Sequence, residues 1–256
     1  MKFIILGCGS SMGVPRSDGY FGNCNPKNKK NYRTRCSALI KTKNEIALFD
    51  TSPDLRQQLI NNNIKTVNKV FYSHMHADQT HGINDLRVFY IKKKKTISVY
   101  ADKPTQKHLM NSFKYCFVNN SKEYPAILKL NSIKKNLFIK DGLKKIKIRP
   151  VKVQHGKVDS ICYIIDNKLA YISDVSNIKK RNHKFFRKLK YLVIDCLWLR
   201  KHPSHLNLEE SLELINEFKP KKAILTNLHS DLDYNYLKKK LPKNVVPAYD
   251  GLTINL

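Results

Sequence analysis

The chain is short of acid. Twenty Asp and Glu stand against 48 Lys and Arg in 256 residues, a formal net charge of +28. It is also short of long apolar runs: no stretch approaches the roughly 20 residues that cross a bilayer. "IILGC" looks like a lipoprotein cleavage box ending at Cys8, but the apolar stretch before it, Phe3 to Leu6, is too short for a signal-peptide core. The six cysteines (8, 24, 36, 116, 162 and 196) include no CxxC pair and no regular framework. That argues against a disulfide scaffold and for reduced thiols, so a cytoplasmic protein with no membrane partner is expected. No linker, low-complexity tract or internal repeat divides the chain, and residues 1–256 read as a single domain.

The excess of base invites a nucleic-acid reading. The lysines, however, are spread along the whole chain and travel with asparagine and isoleucine, and all three residues have A/T-rich codons. The two dense runs, Lys92 to Lys95 and Lys238 to Lys240, read as solvated faces. A field of this sign still favours an anionic substrate.

What is present is a globular composition, 41% hydrophobic and 10% aromatic. Short apolar strands recur: "KFIILGCG", a hairpin of "CSALIKT" and "EIALFD", then "KVFYS", "TISVYAD", "KIKIRPVKV", "ICYIID", "KLAYISD", "YLVID", "KAILTN" and the final "GLTINL". Helical spacing appears in "SPDLRQQLINNN" and over Lys103 to Lys114, Asn182 to Leu189, Asn207 to Phe218 and Tyr234 to Leu241. Strands interleaved with helices predict an α/β chain with its sheets covered by helices.

The chemistry is concentrated in "HMHADQTH", directly after the strand "KVFYS". His74 and His76 are two residues apart, a step that aims both imidazoles the same way on extended backbone, and Asp78 follows by the same step. Imidazole with carboxylate suits zinc, iron or manganese and not calcium. Further ligand-capable residues stand at strand ends: His155 before Gly156, Asp174 after "KLAYIS", and His229 after "KAILTNL". Strand ends share an edge of a sheet and can converge.

The ordered set His74-x-His76-x-Asp78, His155-Gly156, Ser173-Asp174 and "TNLHSDLDY" resembles the metallo-β-lactamase superfamily of hydrolases. Within it, the likeness is nearest to the branch containing phosphoribosyl cyclic phosphate phosphodiesterase. "GCGSSMGVP", "DTSPDLRQQL", "THGINDLR", "HPSHLNLEE" and "PAYDGLTI" carry the likeness across nearly the whole chain. The resemblance implies a four-layer αββα sandwich and a site for two zinc or manganese ions. It assigns His74, His76 and His155 to one ion, Asp78 and His229 to the other, and Asp174 to both, with Asp50 behind them as a hydrogen-bonding support.

At position 79 the family motif has histidine and this chain has Gln79. Three readings stay open: Gln79 ligates weakly through its amide oxygen, His81 swings in, or the second site is weak or empty. The favoured expectation is a weakened second site in a chain that is still catalytic, since one ion suffices to activate water. For a phosphodiester the leaving alkoxide needs a proton. His205 is the expected acid, with His202 as a lesser candidate and helix capping as the alternative role for His205. Asp78 is counted with His205 as catalytic. The loop "GCGSSMGVP" lacks the spacing of a dinucleotide fingerprint, but its amides and Ser10 or Ser11 can approach a phosphate. Arg33, Arg35 and Arg87 are further phosphate candidates. Relatives of this branch can carry an extra zinc in a cysteine knuckle; here only Cys24 remains, and that zinc is not expected.

The leading expectation is therefore a metal-dependent phosphodiesterase for a small cyclic or diester phosphate. A tRNA 3′-end-type nuclease stands second, although no long inserted arm for gripping tRNA is present. A degenerate metal- or nucleic-acid-binding module, and an ester or thioester hydrolase, also stay open. A homodimer is left open too.

Overall fold

A computed structural model describes every residue except Asn120 and Lys122. The first sheet takes β1 (Lys2–Gly7), β2 (Ser37–Lys41), β3 (Ile46–Phe49), β4 (Lys69–Phe71), β5 (Ile97–Ala101) and β6 (Leu128–Ser132). The second takes β7 (Leu137–Asp141), β8 (Lys144–His155), β9 (Val158–Ile165), β10 (Leu169–Ile172), β11 (Tyr191–Asp195), β12 (Lys222–Thr226) and β13 (Val245–Pro247). The last strand, β14 (Thr253–Asn255), returns to the first sheet and pairs antiparallel with β1. Each sheet is mixed: β3 to β6 and β10 to β13 run parallel, and the remaining pairs are antiparallel.

Alternation along the strands builds the layers. In β1, Phe3 and Ile5 join Ala38, Ile40, Phe49, Phe71, Tyr163, Ile165, Tyr171 and Val193 in an apolar layer between the sheets. Ile4 and Leu6 point the other way, under helices α1 (Leu55–Asn61), α3 (Arg87–Lys93) and α4 (Lys103–Ser112). The short helices α2 (Ala77–Thr80) and α5 (Lys114–Phe117) lie on this half. Beyond the second sheet, α6 (Leu208–Phe218) and α7 (Tyr234–Lys240) bury Ile215, Phe218 and Leu237 against Ile172, Ile194 and Leu225. The expected αββα sandwich is the observed one. No helix among the described residues is long and apolar enough to cross a membrane.

The helix expected over Asn182 to Leu189 is instead a 3₁₀ segment over Lys180–Phe185. The stretch is rich in lysine and arginine, with no acid to form i,i+4 pairs. The His183 ring is drawn off to Glu217 and the Ile178 carbonyl, and Lys188 turns left-handed at φ +57°. Strands β6, β7 and β13 and helices α2, α3 and α5 were not anticipated.

Parallel direction positions the chemistry. β3, β4, β10, β11 and β12 each deliver a polar side chain at or just after their last residue: Asp50, His74, Asp174, Asp195 and Asn227. β8 runs the same way as β10 and ends on His155. The two sheets are tied at this edge by the Ile161 N–H to the Ser73 carbonyl at 2.9 Å and by the Tyr163 hydroxyl to the Tyr72 carbonyl at 2.6 Å.

Candidate metal centre

The His74 and His76 loop leaves β4 and is braced from behind. Asp50, fully buried and held at φ +63°, accepts the Ser73 N–H at 2.7 Å through Oδ1. Asn227 adopts the same left-handed backbone at φ +61°, so two residues of one cleft hold a conformation that costs free energy outside glycine. The Ser73 hydroxyl lies 2.9 Å from His74 Nδ1, which leaves Nε2 to face the cleft. His155 Nδ1 lies 2.6 Å from the Ser204 carbonyl, so that nitrogen carries the proton and Nε2 presents its lone pair. The approach to Ser204 needs Gly156: at φ +60°, a Cβ there would meet Ser204 Cβ at 2.8 Å.

Three ring nitrogens then converge. His74 Nε2 is 3.0 Å from His76 Nδ1, and His155 Nε2 is 3.3 Å from that same atom. A tetrahedral ion with metal–nitrogen bonds of about 2.0–2.1 Å holds its nitrogens about 3.3 Å apart. The spacing suits a transition-metal ion, and so does the donor chemistry. Burial holds the His74 imidazole down to about 3, so it stays in the neutral form a metal requires.

A second group overlaps the first: His155, Asp174 and His205 each offer a ligand atom within 4.8 Å of the others. Burial opposes charge on Asp174, but the imidazoles of His74, His155 and His205 outweigh it and hold the carboxyl below its usual value. His205 Nδ1 is 2.8 Å from Asp195 Oδ2. Burial pulls His205 down, but the charge and hydrogen bond of Asp195, with Asp174 and Asp78 behind, lift it to about 9. The helix-capping role does not fall to His205, because Asn207 caps α6 in a capping box with Glu210. His202 sits one step out, its ring 5.2 Å from that of His205.

Gln79 is fully buried and lies between two carboxylates. Its Nε2 donates to Asp78 Oδ2 at 3.2 Å and to Asp174 Oδ2 at 3.3 Å, and its Oε1 has no partner. Burial first, and then the charge of Asp174, raise Asp78 to about 6. His81 does not enter the gap. It faces outward, its ring stacked 6.3 Å from that of His108 and its Nδ1 3.1 Å from the Thr80 hydroxyl.

His229, assigned by the resemblance to the second ion, belongs to neither ligand group. Its Nδ1 is engaged by the Asp231 N–H at 3.3 Å, and its ring stands 5.2 Å from that of Trp198. The physical reason lies in the loops. The segment from Trp198 to Asn207 is closed at its base by Leu197 N–H to the Leu206 carbonyl and Leu208 N–H to the Trp198 carbonyl, both 2.9 Å, and it swings His205 inward. The His229 turn is fastened elsewhere by Arg33.

The arginines are otherwise engaged. Arg33 is fully buried and donates to the carbonyls of Leu232 at 2.7 Å and His229 at 3.3 Å and to Asn31 Oδ1 at 3.1 Å, so it is a structural clamp and not a phosphate partner. Arg35 is paired with Asp54 at 3.2 Å, and Arg87 lies over the Tyr124 ring at 5.7 Å on the outer helical face. Neither joins the imidazoles. Ser10 is buried with a hydroxyl that has no partner, and Ser11 is exposed. Cys24 is buried beside Arg33.

Two residues of the cleft were not singled out from the sequence. Asp195 ends "YLVID", the same strand-end signal that marked Asp174. Asn227 donates to the Ser173 carbonyl at 3.0 Å and to Asp174 Oδ1 at 3.3 Å. A hollow of about 430 Å³ between α1 and α3, lined by Leu59, Ile60 and Val88, contains none of these groups.

The profile of the beta-lactamase superfamily domain matches residues 46–227, and the chain belongs to that family. Its fold is the metallo-β-lactamase fold, and the family is generally hydrolytic. Among solved structures it is similar to a new diphosphatase from the PhnP family, 27% identical with a TM-score of 0.87, over 100% of this chain and 97% of that one. It shares the fold of Zn(2+)-bound PqqB from Methylobacterium extorquens, 16% identical with a TM-score of 0.80, over 100% of both chains. The short form of human tRNase Z, 14% identical with a TM-score of 0.70, matches 100% of this chain and 99% of that one. A curated octanoyltransferase of Porphyromonas gingivalis is 29% identical over 98% of this chain, which spans about half (51%) of that relative's length.

Proposed function

We propose that this chain is a metal-dependent hydrolase of small phosphate esters, acting on a diester or cyclic phosphate. The observation that carries the reading is the meeting of His74, His76 and His155 at nitrogen separations of 3.0 and 3.3 Å. The similarity to the diphosphatase supports phosphorus as the centre attacked. Octanoyl transfer belongs to a relative about twice as long, and acyl transfer through a thiol has little support here, because all six cysteines are buried.

His74, His76 and His155 would hold one zinc or manganese ion, with Asp174 and Asp78 beside it. Such an ion supplies Lewis acidity and brings the pKa of a water to about 7. The protein's own groups do the rest. Asp174, fixed by Asn227, orients the attacking water. His205, kept protonated by Asp195, lies against His155 and donates a proton to the leaving alkoxide. The Gln79 amide hydrogen bonds Asp78 and Asp174 together, where the family motif supplies an imidazole, so one tightly held ion per chain is the expected load.

The test is metal analysis of the purified protein together with hydrolysis of bis(p-nitrophenyl) phosphate and of a ribosyl cyclic phosphate. One ion per chain and zinc- or manganese-dependent turnover are expected. A protein that retains no ion after exposure to either metal overturns the reading. So does an ion-loaded protein inert towards every phosphodiester but active on a carboxylic ester.

A further inference from the structure

Asp78, Gln79 and Asp174 meet at a corner beside the imidazole cluster. The Gln79 backbone is fixed there, its N–H on the His76 carbonyl at 3.1 Å and its carbonyl on the Thr51 N–H at 2.8 Å. The side chain is fully buried and reaches between the two carboxylates, with one amide atom 3.2 Å from Asp78 Oδ2 and 3.3 Å from Asp174 Oδ2. That atom is Nε2, and Oε1 on the far side has no partner. A half-turn of the amide exchanges the two at small cost, because a terminal torsion of this kind is broad and two-fold. Nothing bonded to Oε1 opposes the turn, and the two N–H bonds it breaks are the ones a cation replaces. Three oxygens then face one point.

Neighbouring oxygens of an octahedral shell stand about 2.9 Å apart around magnesium and about 3.3–3.7 Å apart around calcium. The separations of 3.2 and 3.3 Å lie at the join of those ranges. The nitrogen and sulfur donors that zinc prefers are engaged elsewhere. His81 rests against Thr80 and His108, His205 against Asp195, and His229 against Asp231 and Trp198. Among the described residues, no imidazole or thiol completes a ligand group around Asp78. The amide, being uncharged, leaves both carboxylates unneutralised; a divalent cation would neutralise both.

We propose that Asp78, Gln79 and Asp174 form a site for an oxygen-preferring divalent cation, magnesium or manganese, so that the loaded protein carries two different metals. The three imidazoles keep a scarce, tightly held zinc, and the oxygen corner takes an abundant harder ion held loosely, with water filling the rest of its shell. The proposal rests on the metal-centre reading above, and Gln79 is the residue that sets the difference between the two halves.

Manganese(II) is the probe. Protein loaded with zinc and then desalted is titrated with manganese chloride, the free ion being followed by electron paramagnetic resonance. One manganese per chain is expected, with a Kd of about 10⁻⁴–10⁻³ M, the weak end for a site with two carboxylates. Magnesium should displace it, and the zinc should stay. Gln79→Met, which keeps the length and drops the amide, should weaken manganese binding by about tenfold or more, and Gln79→Glu should tighten it by a similar factor. Zinc retention and far-ultraviolet circular dichroism report that each variant is folded. No manganese bound at about 10 mM, well above that range, overturns the proposal. So does binding that survives Gln79→Met, or a second zinc that wild type retains through desalting. Binding is read without turnover: a protein that carries both ions and is inert towards every phosphodiester would sink the phosphate-ester reading and leave the mixed-metal corner standing.

Discussion

The imidazole cluster and the Gln79 corner are built side by side from the same strand ends, and they are finished differently. In the cluster, the nitrogens that face away are held from behind: His74 Nδ1 by Ser73, His155 Nδ1 by the Ser204 carbonyl and, in the adjoining group, His205 Nδ1 by Asp195. Those supports fix each tautomer and ring before any ion arrives. In the corner, an amide joins the two carboxylates a second ion would use, and its own oxygen is left without a partner. One half is prepared for a cation. The other has part of the cation's work done by hydrogen bonds, which hold Asp78 and Asp174 together but neutralise neither. The difference teaches that a ligand list read from a motif is not a site until the groups behind the ligands are counted.

The comparison breaks most visibly in the cluster. His155→Ala removes one of three converging nitrogens, and the loss should exceed the 10–100-fold that follows from losing an outer support. Diesterase activity should fall by well over about a hundredfold, with the ion lost on dialysis and the far-ultraviolet circular dichroism unchanged. Retention of a full ion by this variant would remove His155 from the shell. Asp195→Asn comes next. It keeps the shape of the side chain but replaces the carboxylate that lifts His205 to about 9. A drop of about 10–100-fold in activity is expected, with ion content close to wild type. An unchanged rate would mean that His205 gives up no proton in the reaction.

Gln79→His then sharpens the corner. An imidazole at this position should raise the ion content from one to two per chain on addition of zinc, read by elemental analysis, and raise turnover severalfold. Unchanged content and rate would mean that position 79 lies outside the reach of any ion. Arg33→Met, by contrast, should be felt in stability and hardly in metal content. Removing a buried guanidinium leaves the carbonyls of His229 and Leu232 without donors, a cost of about 3 kcal/mol by denaturant unfolding, while the imidazole cluster keeps its ion.

The sandwich was legible because alternation and run length are local properties. "KFIILG" announces both of its faces, and the strands that lead to Asp50, Asp174 and His155 end within two residues of where the sequence places them. The strands that escaped notice, β6, β7 and β13, are short or carry polar residues on alternate positions, as in "LKLNS". The metal motif was legible for a related reason, since His74, His76 and Asp78 lie within five residues. What escaped was whatever depends on which way a loop turns. His205 and His229 both follow strands of the second sheet, and nothing in their spacing says that the first ring turns in and the second turns to Trp198. Arg33 read as a phosphate candidate because charge alone does not reveal that the Leu232 and His229 carbonyls and Asn31 Oδ1 take its donors inside the protein. Asp195 was visible as a strand-end acid, but its worth lies in a partner ten residues on.

The smallest effect belongs to Ser10, at the rim where the loop after β1 meets the loop after β12. Gly9 bridges to Leu228 there, and the Leu228 N–H bonds the Cys8 carbonyl at 2.8 Å, so the serine backbone is fixed by both neighbours. Its hydroxyl is buried and unpartnered, a condition that costs about 1–3 kcal/mol when no water or ligand relieves it. Ser10→Ala should therefore leave the unfolding free energy unchanged or raise it by up to about 1 kcal/mol. If the hydroxyl waits for a substrate oxygen, the same variant should raise KM a few-fold while kcat and the three-histidine ion load stay put. A KM equal to wild type, together with a gain in stability, would mark Ser10 as a packing residue and leave phosphate recognition to the loop amides.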